Sequence, residues 1–169
     1  MNKYRVEVKW AIIFVLVTLF WMFLEKLAGL HGERIDKHAT FTNLFAIPAI
    51  AVYVFALLDK RRNFYKGAMT YKQGFLCGLI ITAIATVLSP LTQYISSAVI
   101  TSDFFSNAIR HVVDTGKMDQ AAAEEYFNLK SYILQGLIGT PVMGIITTAI
   151  VAIFTRTKET TDRTGEVTR

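Results

Sequence analysis

The chain holds 169 residues, 53% of them hydrophobic and 18% charged, with a mean hydropathy of +0.39. Four long apolar stretches without a polar face exclude a soluble helix bundle, in which each helix keeps one side for water. The net charge of +5 is ordinary for a small membrane protein and does not imply nucleic acid, and the lone Cys77 excludes an internal disulfide.

The first stretch runs from Trp10 to Leu24 without a charge, and its helix is expected to reach about Leu30. Lys3, Arg5 and Lys9 ahead of it would also suit a signal peptide, but bulky Trp21-Met22-Phe23 and the sequence Lys26-Leu27-Ala28 offer no small-residue cleavage site. Retention as a membrane helix is therefore expected. Glu25 falls at the far interface, where pairing with Lys26 or reaching into headgroups accounts for it. Three more spans follow: Phe41–Leu58, Phe75–Ile100 and Ser131–Phe154. Crossing the hydrocarbon takes roughly 20 apolar residues at 1.5 Å each, which the last two meet outright and the first two meet with their flanks. The sequence thus predicts an all-α integral membrane four-helix bundle. Residues 1–154 form a single four-span domain, and 155–169 form a polar, mobile cytoplasmic tail.

Lys and Arg set the orientation. The segments 1–9, 59–74 and 155–169 together hold 12 of them, against 6 in the connections 25–42 and 101–130. Both termini are expected in the cytoplasm of a bacterial inner membrane. Lys60, Arg61 and Arg62 carry much of the bias and are expected to lie on anionic lipid headgroups.

The third span carries a polar stripe. Thr82, Thr86, Ser89, Gln93, Ser96 and Ser97 share one helix face, which Gly74 and Gly78 extend. The fourth span answers with Gly136, Thr140, Gly144, Thr148 and Ala152 at every fourth position. Lipid supplies no hydrophobic drive between helices, so small residues that admit close backbone approach predict the tightest pair here. Pro90 and Pro141 free the carbonyls of Thr86 and Leu137, and Ser89, Thr92 and Gln93 are candidate donors near Pro90; Pro48 lies in the first turns of its span. The stripe reads as packing material, with a pore lining as the rival. No Asp, Glu, Lys, Arg or His occupies the middle of any span, which argues against pumps and ion-coupled carriers.

The connections on the far side hold all three histidines. His31, Glu33, Asp36 and His38 lie in one loop, and His111 with Asp114 in the other. Their spacing matches no recognised ligand pattern, so no metal site is expected. No nucleophile triad or phosphate loop is present, and neither catalytic residues nor a cofactor are expected. In the second connection Ser102 or Asp103 can cap a short helix bearing Phe105, Ile109, Val112 and Val113, which Gly116 ends. Its apolar face is expected on the outer membrane surface or over the bundle mouth. Asp119 starts another helix, expected to run into the fourth span.

The run from Arg62 to Phe75 (Arg62-Asn63-Phe64-Tyr65-Lys66-Gly67-Ala68-Met69-Thr70-Tyr71-Lys72-Gln73-Gly74-Phe75), with Gly78 and the late Gly136–Gly144 span ending in Arg156 and Lys158, resembles domain-of-unknown-function family 4199. The resemblance implies a small four-span bacterial inner-membrane protein and supplies no activity or catalytic residues. It also implies a proline after the third span, where this chain has Thr101-Ser102-Asp103, so the path into the outer helix is expected to differ. The expected function is a non-enzymatic accessory or scaffold bundle, working with the lipid bilayer and as a homo-oligomer or with other membrane proteins. The alternatives are an uncoupled channel or small-solute permease subunit lined by the third span, and a metal-dependent membrane enzyme at the outer histidines.

Overall fold

The computed structural model of the chain describes residues 3–157, 160–161 and 167–168. The first span is α1, Arg5–Leu27, a helix longer at its start than the charge-free stretch. A short 3-10 turn at Ile35–Lys37, then α2 (His38–Thr42), a second such turn at Asn43–Phe45 and α3 (Ala46–Asn63) form one continuous second span, Ile35–Asn63. It begins earlier than Phe41, and Pro48 sits in the first turn of α3, where its missing N–H costs little. The third span is α4, Tyr71–Ile95, finishing in a π-helical turn, Ser96–Ile100. After α5 (Phe104–Asp114) and α6 (Gln120–Tyr126), α7 (Leu129–Thr155) is the fourth span. Most of the polar tail 155–169 lies outside the described residues; within it Thr160–Thr161 and Val167–Thr168 pair antiparallel.

The four spans make this a multi-pass membrane bundle. Their mean hydropathies reach 2.0–2.1, and the surface is apolar where a soluble protein's would be polar: Val87 is 76% exposed and Phe154 81%. Lipid covers such a surface without penalty. The interior is small by comparison, with Ala11, Tyr53, Ala56, Leu57, Met69, Cys77, Ile81, Val151 and Ala152 at its centre. Cys77 is a buried packing residue here, as its position near the start of the third span suggests.

Local signals place the helix ends. Thr70 and Gln73 cap α4 reciprocally, the Thr70 hydroxyl accepting from the Gln73 N–H and the Gln73 carbonyl from the Thr70 N–H. Asp103 precedes α5 without a side-chain cap bond, and Gly116, at φ +67°, follows its end. The continuous helix expected from Asp119 into the fourth span does not form. Asn128 interrupts it in an extended conformation, accepting from the Ser131 N–H at 2.9 Å to start α7. Its amide also donates to the carbonyls of Glu124 and Glu125, closing α6. One side chain thereby caps two helices.

α4 and α7 make the most extensive helix contact in the bundle, as the facing small residues predict. Two notches interlock. A Cβ at Gly78 would press into the methyl and hydroxyl of Thr148 and come within 2.9 Å of its Cβ. A Cβ at Gly144 would do the same to Thr82, whose Cβ would be 3.0 Å away. Each helix thus inserts a threonine where the other has a glycine. We expect Gly78→Ala and Gly144→Ala each to destabilise the bundle by about 1–3 kcal/mol through overpacking. Thr148→Ala should partly rescue Gly78→Ala, and denaturant midpoints in detergent check both outcomes.

Candidate functional site

The polar stripe of α4 is mostly turned inward. Thr82 and Ser89 are buried, while Thr86, Gln93 and Ser97 are half-buried. On α7, Gly144 and Thr148 are buried, and Gly136 and Thr140 half-buried. The seam joins Gly78 with Thr148, Thr82 with Gly144, and Gly136 with the region of Ser89 and Gln93. Hydroxyls along α4 largely turn back to their own helix. Thr82 donates to Gly78 O at 2.9 Å, Thr86 to Thr82 O at 2.8 Å and Ser97 to Gln93 O at 2.9 Å. Ser89 donates to Thr86 O at 2.9 Å, satisfying the carbonyl that Pro90 leaves without a donor. Because the Thr82 hydroxyl hydrogen is committed to Gly78, Tyr53 donates to Thr82 Oγ1 at 2.7 Å and ties α3 to the seam.

At the end carrying both termini the expected headgroup trio separates. Lys60 is 2% exposed and does not reach the surface. Its Nζ lies 2.8 Å from Glu7 Oε1, donates to Lys3 O at 2.7 Å and sits 3.9 Å from the centre of the Phe64 ring. A buried ammonium needs such partners, because desolvation outweighs anything a lone charge could gain there. Arg61 is half-buried and donates to Thr155 O at 3.0 Å, holding the last turn of α7. Only Arg62 is exposed and free to meet headgroups as expected of all three. Beside them Asp59 accepts from Lys9 and from Trp10 Nε1, binding α1 to α3 a second time. The α7 end is strapped down as well: Thr157 and Met69 exchange hydrogen bonds of 2.8 and 2.9 Å, and the Thr157 hydroxyl donates to Gly67 O.

The opposite end holds the most concentrated polar chemistry, and it centres on Glu25. This carboxylate is 2% exposed; it neither pairs with Lys26 nor reaches into headgroups. Oε1 accepts from Trp21 Nε1 and from Thr42 Oγ1, both at 2.7 Å. Oε2 faces His31 Nε2 at 3.2 Å and His38 Nδ1 at 4.0 Å. The end of α1 explains how His31 returns to Glu25. Gly29 takes φ +76°, the Leu30 N–H donates to Glu25 O and the Gly29 N–H to Lys26 O, a Schellman turn that reverses the chain. His38 arrives from the first turn of α2. Phe104 of α5 covers both imidazoles, with ring centres 5.1 Å from His31 and 4.9 Å from His38. Asn107 fixes the cover by donating to His31 O at 2.9 Å. α5 therefore lies over the bundle mouth through Phe104 and Ala108, its buried residues, while Phe105, Ile109, Val112 and Val113, the face expected to cover it, are half-buried. Glu33 and Asp36, grouped with the histidines by sequence, are exposed and stand apart from the cluster.

Sequence reasoning missed Glu7 and misplaced Glu25 and Lys60. Each sits within a turn of a span's end, where interface and interior cannot be told apart without knowing the partner helix. The Trp21–Glu25 spacing of four residues was the one local signal that the carboxylate turns inward.

A family model matches residues 9–157, a range that includes the seam and the whole Glu25 cluster. The chain belongs to that family, described as protein of unknown function DUF4199. Comparison with curated proteins and with solved structures found no match. In this DUF4199 chain, Lys60→Met should leave the Glu7 carboxylate buried and uncompensated, costing about 3–5 kcal/mol. Arg62→Ala should stay within about 0.5 kcal/mol. Adding Glu7→Gln to Lys60→Met should recover most of the loss, measured as denaturation midpoints of the purified protein.

Proposed function

We propose that this protein is a non-enzymatic accessory or scaffold bundle of a bacterial inner membrane, with both termini in the cytoplasm. The observation that carries the reading is the use made of the polar stripe. Thr82, Ser89 and Thr148 are buried in or beside the α4–α7 seam, and the α4 hydroxyls are spent on helix carbonyls. A pore lining would present such groups to water instead. The midspan sequence adds weight, since no Asp, Glu, Lys, Arg or His is placed there to couple an ion to a solute. Orientation rests on the Lys and Arg bias, which persists when buried Lys60 is left out of the count. On this reading the broad apolar outer faces of the spans meet lipid, further copies or other membrane proteins, and nucleic acid has no part.

Flux measurements separate the scaffold from an uncoupled channel. Proteoliposomes carrying the wild-type chain should release trapped small solutes no faster than empty vesicles, and Gln93→Leu should change nothing. Wild-type release that Gln93→Leu abolishes would establish a pathway and defeat the scaffold reading. Chemical crosslinking in native membranes should yield discrete larger species containing this chain; a monomer alone counts equally against it. For orientation, reporters fused at residue 65 should report the cytoplasm and those at 115 the periplasm, and the reverse pattern would overturn the assignment.

A further inference from the structure

The geometry points to a divalent metal site of the zinc class formed by Glu25, His31 and His38, beneath the α5 cover at the end of the bundle away from the termini. One donor atom from each residue lies within 4.8 Å of the other two. These three residues come from the last turn of α1, the Schellman loop and the first turn of α2, so the arrangement is a product of the fold rather than of local sequence.

The donor set suits the ion. Two neutral imidazoles and one carboxylate match the nitrogen and oxygen preference of zinc and its transition-metal neighbours, while calcium and magnesium favour oxygen alone. Zinc bonds of about 2.0–2.1 Å in a tetrahedral site place donor atoms about 3.3 Å apart. Glu25 Oε2 and His31 Nε2 are already 3.2 Å apart, and His38 Nδ1 stands 4.0 Å from the same oxygen. A side-chain rotation of about 1 Å at His38 completes the approach, and His38, only half-buried, has room to make it.

Two further observations point to a ligand rather than to a closed hydrogen-bond cluster. The first concerns His31, which is 6% exposed and whose Nδ1 is buried with no hydrogen-bond partner among the described residues. With no acceptor at Nδ1, no protein group fixes the tautomer from that side, and Nε2 carries the lone pair whenever the proton sits on Nδ1. Nε2, the nitrogen that faces Glu25 Oε2, is thus open to a cation seated between the two. The second concerns Glu25. Trp21 and Thr42 hold Oε1 and leave Oε2 toward the histidines, which is the outer support that ligating carboxylates have in metal sites. The aromatic cover of Phe104 keeps bulk water from competing.

Bound there, the ion would clip α1 to α2 and seat α5 above them, acting as a structural tie that stands independently of the scaffold reading. The test uses the full-length chain purified in detergent without a polyhistidine tag, stripped with chelator and titrated with Zn²⁺ alone against a competing indicator. One ion per chain is expected. His31→Ala, His38→Ala and Glu25→Gln should each weaken binding by about 100-fold or more, whereas His111→Ala should leave it unchanged. Helical circular dichroism identifies any variant that fails to fold. In that event Co²⁺ binding to the wild type decides, with intense visible bands expected for a tetrahedral nitrogen–oxygen site. Failure of folded wild type to bind one zinc ion saturably, or equal binding by folded His31→Ala and His38→Ala, would overturn the proposal.

Discussion

Close backbone approach between α4 and α7 is the constraint on which the rest of the bundle depends. In hydrocarbon, leucine gains nothing by leaving lipid for another helix, so contact must come from packing and hydrogen bonds. Gly78 and Gly144 remove the atoms that would hold the backbones apart, and Thr148 and Thr82 fill the spaces. The gain is geometric as much as energetic, because a threonine seated in a notch fixes both the rotation and the axial register of the pair. With α4 so placed, Thr82 offers its oxygen to Tyr53, and that bond ties α3 to the middle of the seam. Ala11, Leu57 and Ile81 then close a core too small to hold the helices by area alone.

α1 is held in a different way. Its middle is apolar, and its polar anchors sit at its two ends. Glu7 and Lys9 join Lys60 and Asp59 at one end, and Glu25 joins His31, Thr42 and His38 at the other. This distribution follows from solvation. Near the interface, water and headgroups lower the penalty for a charge before its partner arrives, whereas at midspan the same charge would face hydrocarbon during insertion. The ends of the bundle can therefore hold the ionic and histidine chemistry that its centre cannot.

Most of the architecture was legible in the chain. Span lengths, the outer helices, the α4–α7 pairing and the remedy for Pro90 all follow from rules that operate within a turn or two of helix. Ser89 could be nominated as the donor to Thr86 because both lie on one helix. The end clusters were not legible in the same way. Lys60 and Glu7 are 53 residues apart, and Asp59 and Lys9 are 50 apart, so the pairings exist only once α1 and α3 are side by side. A basic run at a span's end signals headgroups by composition, and burial of one member depends on a neighbour that composition does not reveal. His31 and His38 were visible as candidates, but their carboxylate was sought among Glu33 and Asp36. The glycine turn at Gly29 instead delivers them to a residue of the preceding helix. The merging of α6 into α7 was misjudged because Asn128 acts through its side chain, against an otherwise favourable helical run.

The two buried carboxylates of α1 also define a length. Glu7 and Glu25 are separated by 18 helical positions, or about 27 Å along the axis, a little under the usual thickness of the hydrocarbon layer. Each is pinned to other elements, so α1 can neither slide to lengthen its apolar section nor tilt independently to shorten it. A thicker bilayer would have to thin around the protein, or else draw both polar clusters into lipid. The bundle is in this sense a gauge with fixed jaws, and membranes whose apolar thickness matches it are the ones in which it sits without strain.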